Sequence, residues 1–215
     1  MRYLLFIATL WLSCSLCSAQ TSDSLIVNQL RGKGIRFSHD NSVTLLMSGQ
    51  EKFDDMFQAI RQAKHSVHLE YFNLFNRDHR KIVVIDGQIA YTGGMNVADY
   101  YIKGTKVVGE WHDMHCRIDG SEVNTLQKIF LKMWNKVSGQ NIHGAEYYRA
   151  AKKEYLVENL KPDTTATAYH KMVGIINREP HISKDIIRYF YVNAINDAQD
   201  SIKIISPYFT LSRKL

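Results

Sequence analysis

Val43-Thr44-Leu45-Leu46-Met47 is a dense apolar run that predicts a strand, and Ser48-Gly49 ends it. Phe53, Met56, Phe57, Ile60 and Ala63 then recur at helical spacing with charges between them, which predicts an amphipathic helix ending at Ser66. Val67-His68-Leu69-Glu70-Tyr71-Phe72 reads as the next strand. Lys81 to Ile85 and Gln88 to Thr92 flank Asp86-Gly87, and that dipeptide between two β-rich runs predicts a hairpin with a two-residue turn. A short helix is expected from Asn96 and a strand from about Trp111 to Ile118. Ser121 is then placed to cap a helix burying Val123, Leu126, Phe130, Met133, Trp134 and Val137. Residues 20–42 are polar and assign to no element. Strands interleaved with amphipathic helices define an α/β class.

The pattern also echoes itself. Ala59-Ile60, Ala63 and Ser66-Val67 reappear as Ala194-Ile195, Ala198 and Ser201-Ile202, and the strand Val43 to Met47 is answered by Met172 to Ile176. The intervening stretch is polar and contains Lys161-Pro162-Asp163-Thr164-Thr165-Ala166-Thr167. The expected organisation is a polar N-terminal segment at 20–42, one half at 43–160, a linker at 161–170 and the start of a second half at 171–215.

Composition narrows the class. With 215 residues, 45% hydrophobic, 22% charged and only three prolines, the chain is neither disordered nor fibrous. No apolar run reaches the roughly 18 residues of a membrane-spanning helix. Residues 1–19 read as a secretory signal peptide: Arg2, the apolar run Leu4 to Leu12, then Ser18-Ala19; a retained anchor is the competing reading. Cleavage there removes Cys14 and Cys17 and leaves Cys116 alone, a packed small side chain rather than half of a disulfide. The net charge of +6 suits anionic lipid surfaces and nucleic acid alike.

The candidate chemistry lies in one stretch, Asn76 to Asn96. Alternation along a strand puts His79 and Lys81 on one face and turns Arg80 away. A two-residue turn pairs Ile85 with Gln88, which sets Lys81 opposite Thr92 and His79 opposite Gly94. Gly93 and Gly94 would leave room for a ligand to reach the backbone, and Asn96 at a helix start would add an amide beside N–H groups. Together with Lys81 these favour an anion, most naturally a phosphate. A histidine there can be nucleophile or general acid, and no metal is required if Lys81 and the amides neutralise the charge. Glu70 either orients a histidine or is a surface carboxylate. His65 and His68, like His112 and His115, lack partners at metal spacing, so no metal site is expected.

The spacing His79-x-Lys81, four residues, Asp86, six residues, Gly93-Gly94-x-Asn96 is the HKD motif, and the chain resembles the phospholipase D superfamily, within it the bacterial cardiolipin synthases. His65 to Phe72, Trp111-His112-Asp113-Met114-His115 and Ser206-Pro207-Tyr208-Phe209 also resemble that branch. The resemblance implies a mixed β-sheet flanked by helices, and two HKD motifs meeting between similar halves. It implies a phosphohistidine formed by one histidine while the other protonates the leaving alcohol, with no cofactor. Carried over, His79 is nucleophile or acid, Lys81 and Asn96 hold phosphate oxygens, and Asp86, at the turn, is positional. The substrate would be phosphatidylglycerol-like lipid at a membrane, on the periplasmic face of an exported protein.

The chain departs from that pattern twice. Only one HKD motif is present, since the second copy stops at Leu215 before its own would fall. Only Asn73-Leu74-Phe75 separates Phe72 from Asn76, where the family carries a further helix–strand unit. A homodimer would supply the missing histidine. A one-motif endonuclease dimer and a non-catalytic remnant are the competing classes; export disfavours nucleic acid as the partner.

Overall fold

The computed structural model describes residues 22–71, 79–148, 163–178 and 185–204. The chain divides into two compact units, 36–175 and a second made of 1–35 with 176–215. The larger unit is a six-stranded sheet. Its strands are β1 (Phe37–Leu46), β2 (Val67–Glu70), β3 (Ile82–Ile85), β4 (Ile89–Gly93), β5 (His115–Asp119) and β6 (Thr167–Gly174), in the order β2-β3-β4-β5-β1-β6. Every ladder among them is antiparallel, where a mixed sheet was expected. Short links explain part of this: β3 and β4 share a tight turn, and parallel neighbours need a crossover of a dozen or more residues.

In the smaller unit α1 (Ser22–Gly32) packs on α5 (Ile186–Asp197), with Leu30 and Ile186 buried and the Lys33 ammonium 4.9 Å from the centre of the Tyr189 ring. The larger unit has α2 (Gly49–Gln62), the one-turn α3 (Tyr100–Lys103) and α4 (Val123–Ser138). Ser48 caps α2 by accepting from the Glu51 N–H at 3.2 Å, while the Glu51 carboxylate reaches back to the Met47 N–H at 2.7 Å.

The sheet has two apolar faces. Phe53, Met56 and Ala59 of α2 pack on Val83, Ile85, Tyr91 and Met95; Val123 and Leu126 of α4 pack on Ile82, Val84, Ala90 and Ile118. Strand alternation thus sends consecutive residues of β3 into different cores.

Several expectations change. β1 begins at Phe37, inside the polar stretch, and carries a bulge at Asn41. The fully buried Asn41 side chain accepts from the Glu122 N–H at 3.0 Å and so satisfies the start of α4. Ser121, expected to cap that helix, instead donates its hydroxyl to Asp40 at 2.5 Å. Trp134 and Val137 are exposed, and Gln127 and Leu131 are buried in their place. The strand expected from Met172 begins at Thr167 and pairs with β1, so it lies within the first sheet. Residues 201–204 form no strand. Residues 1–19, expected to be a signal peptide, and residues 72–78 and 205–215, with Ser206 to Phe209, lie outside the described residues.

Candidate phosphate site at the open end of a hairpin

Asp86 and Gly87 both take positive φ, at 52° and 62°, and the Gln88 N–H closes the turn on the Ile85 carbonyl at 2.9 Å. The ladder nevertheless pairs Ile85 with Ile89 and Ile82 with Thr92, one place beyond the expected register, because Gln88 belongs to the turn. Extending that register sets Lys81 level with Gly93 and His79 level with Met95.

Asp86 is held entirely by backbone. Its carboxylate accepts from the N–H groups of Lys64, His65 and Ser66 at 2.8, 2.7 and 2.8 Å, and its own N–H donates to the Ser66 carbonyl at 2.9 Å. Burial pushes this carboxyl upward, but those three hydrogen bonds and the charge of His65 outweigh it and hold it below its ordinary value. Asp86 therefore locks the link between α2 and β2 to the hairpin turn, at the far end from His79.

At the open end, His79 is exposed and Lys81 is 8% exposed. The Lys81 ammonium donates to the His79 carbonyl at 2.7 Å and lies 3.5 Å from its Nδ1. Gly93 pairs with His115 across β4 and β5, and a Cβ at Gly93 would come within 2.6 Å of His115 Cα and Nδ1. A Cβ at Gly94 would meet the Asp113 carboxylate at 2.1 Å, and the Gly94 N–H already donates to Met114 at 2.9 Å. The two glycines thus let β5 side chains approach, and the space expected for a ligand is occupied by His115 and Asp113. Asn96 lies four residues ahead of α3, which starts at Tyr100, so it does not open a helix. Its side-chain Oδ1 is buried with no hydrogen-bond partner among the described residues.

Two further residues enter this corner. Lys52 of α2 is fully buried; its ammonium donates to the Asn96 carbonyl at 3.1 Å and sits over the rings of Phe53 and Tyr71 at 4.3 and 5.0 Å. Burial lowers its pKa to about 8, with Asp113 opposing. His115 is 2% exposed, and neither ring nitrogen has a hydrogen-bond partner among the described residues. Burial, then Lys52 and Lys81, lower its pKa to about 3, so it is neutral. Lys52 had a readable signal, since it shares the buried i, i+4, i+7 stripe with Met56 and Ala59. His115 had none before the register was known. The result is a desolvated, positively charged corner suited to an anion.

Glu70 stands apart. It pairs in register with Ile82, whose side chain enters the α4-side core, and its carboxylate takes the Arg80 guanidinium at 3.0 Å. The structure does not bring it to Lys81. On the same face His68 stacks on Phe130 at 4.7 Å between centroids and meets the Gln127 amide. Cys116 has its thiol on the Thr92 carbonyl at 3.2 Å, and burial raises its pKa. Among the described residues no three His, Cys, Asp or Glu side chains converge as a metal site, and no helix is long and apolar enough to cross a membrane.

The chain is similar to cardiolipin synthase 2 of Staphylococcus epidermidis, at 28% identity, and to cardiolipin synthase of Staphylococcus aureus, at 29%. Each alignment runs over 237 residues and covers 79% of this chain, with 46% and 45% of the relatives. Cardiolipin synthase of Geobacillus sp. is 38% identical over 133 residues, 62% of this chain and 24% of that protein. The chain thus spans less than half the length of these relatives. No family model and no solved structure matches. Over most of its length the chain is thus similar to cardiolipin synthases.

Proposed function

We propose that the chain is a phospholipase D-type phosphatidyltransferase of cardiolipin synthase type that takes phosphatidylglycerol-like lipid at the His79–Lys81 corner. The observation that carries this reading is Lys81 beside His79 at the open end of one hairpin, with a second buried lysine, Lys52, donating to the Asn96 carbonyl there. The homology to cardiolipin synthases supports the same class.

In this reading His79 attacks the phosphodiester phosphorus. A P–N bond forms as the P–O bond to the departing alcohol breaks, and a second histidine gives that alcohol its proton. An acceptor alcohol then attacks the phosphohistidine, passes its proton to the second histidine and breaks the P–N bond. Lys81 and the Asn96 amide hold the phosphate oxygens while Lys52 adds positive potential from beneath. Gly93 and Gly94 shape the corner by admitting His115 and Asp113, and Asp86 fixes the hairpin at its other end.

The second histidine comes from a second copy of this half or from the remainder of a longer protein. Without it the chain binds the lipid phosphate and turns over poorly. An alignment of 237 residues that draws on about 170 of this chain's residues (79% of 215) also means that the relatives carry positions absent here, which supports an internal deletion between Phe72 and Asn76. Export through residues 1–19 to the periplasmic face belongs to the same proposal.

Incubation with phosphatidylglycerol, quenching in alkali and mass mapping of the adduct tests the reading. A phosphatidyl group on His79 is the expected result. Transfer activity that survives His79→Ala would sink it.

A further inference from the structure

The segment between β4 and β5 projects a small closed hairpin. The Thr105 and Gly109 N–H groups each donate to the other's carbonyl at 2.8 Å, and the Val108 N–H donates to the Thr105 hydroxyl oxygen at 3.0 Å. Gly104, at φ 66°, lies so close to the Gly109 carbonyl that a Cβ would come within 2.1 Å of it. This backbone holds Val107 and Val108 at the tip, 94% and 62% exposed. Such exposure is unusual on a tied-down turn, where polar residues are the rule.

The base is aromatic. Tyr100 and Tyr101 pack at 4.5 Å between ring centroids, and the exposed Trp111 lies 4.9 and 6.0 Å from them. Ile102, Val97 and Met114 are also exposed around it. Lys103 and Lys106 border the tip, Lys103 paired with Asp99 at 3.0 Å, and Glu110 follows. Local charge is therefore balanced, and an apolar contact dominates over an electrostatic one.

From this arrangement we infer that the Thr105–Gly109 hairpin is a membrane-inserting tip: Val107 and Val108 enter the acyl boundary of a lipid bilayer while Tyr100 and Trp111 sit at headgroup level. The shape selects a bilayer over a protein partner. A convex tip of two valines offers a few hundred Å² at most, far short of the about 800 Å² per partner of a stable protein interface, whereas aromatic side chains with a polar edge favour the membrane interface. The tip is rooted beside the candidate site, since Met114 accepts from Gly94 and Gly49 packs against the Tyr101 backbone next to Lys52. The inference rests on the lipid reading of that site and adds how the site reaches its substrate.

The test places an environment-sensitive fluorophore on Val108→Cys in the full chain with Cys14, Cys17 and Cys116 replaced by Ser, and a control label on Lys128→Cys on exposed α4. With phosphatidylglycerol vesicles, the label at 108 is expected to shift to an apolar signal and the label at 128 to stay aqueous. Adding Val107→Asp should weaken that shift about 10-fold, and phosphatidylcholine vesicles should give it with little salt dependence. A label at 108 that stays aqueous, or two labels that respond alike, overturns the inference. An apolar shift on concentrating the protein without vesicles assigns the tip to a second copy and overturns it as well. His79→Ala leaves the label's response unchanged, so failure of the catalytic reading is seen separately.

Discussion

The two ends of the β3–β4 hairpin carry the same motif and do opposite things. At the turn, Asp86 has every carboxylate contact answered by a backbone N–H, and its job is finished on folding. At the open end, His115 is buried and, among the described residues, neither of its ring nitrogens nor Asn96 Oδ1 has a hydrogen-bond partner, while two lysines are drawn out of water. Buried polar groups are normally satisfied, so these atoms beside buried cations support the proposal that a ligand completes this end of the hairpin. One motif thus splits into an anchoring acid at the turn and, at the open end, a lysine five residues and a histidine seven residues before it, the lysine about 16 Å away at about 3.3 Å per strand residue.

This contrast can be broken most sharply at His79. His79→Ala is expected to lower phosphatidyl transfer at least about 1000-fold with little change in melting temperature, measured on vesicles carrying labelled phosphatidylglycerol. Asp86→Ala should do the reverse. Loss of its three charge-assisted hydrogen bonds should cost about 2–4 kcal/mol of stability, read by urea unfolding. Because the folded-state Asp86 carboxyl lies below its unfolded value, its contribution is full above about pH 4 and is lost as pH falls through the folded value. Below pH 4 the parent should therefore lose stability more steeply than Asp86→Asn.

Lys52 sharpens the comparison from the other side. Its pKa falls from 10.5 to about 8 on folding, so between those values the unfolded chain holds more protons and stability should rise with pH. Lys52→Met should flatten that rise and weaken inorganic phosphate binding several-fold. The smallest effect is expected at Glu70, on the other sheet face with Arg80: Glu70→Gln should cost about 1 kcal/mol and leave phosphate affinity within about twofold.

Much of this was legible in the chain. The hairpin, α2 and the first turns of α4 follow from alternation and helical spacing, and His79, Lys81 and Asp86 from one motif. What escaped was set by tertiary contacts. α1 and the first half of β1 lie in a polar stretch, where Asn41 is buried only because it answers the N-terminus of α4. Gln88 shifted the register because a local turn rule counts two residues and the ladder counts three. Trp134 and Val137 continue the apolar spacing of α4 past the edge of the sheet that buries it. His115 joins the site through its pairing with Gly93, a contact no spacing along the sequence records. Glu70 ends β2 just before Tyr71, yet its pairing with Ile82 sets it on the α4 side of the sheet.

The central claim, that the open end of the hairpin is the phosphate site, is tested most directly by titrating inorganic phosphate into the full chain while following each histidine ring by NMR. The account expects saturable shifts of His79 and His115, with His68 unmoved on the far face. Shifts of equal size at every histidine, or a His79 ring that ignores phosphate, would contradict it.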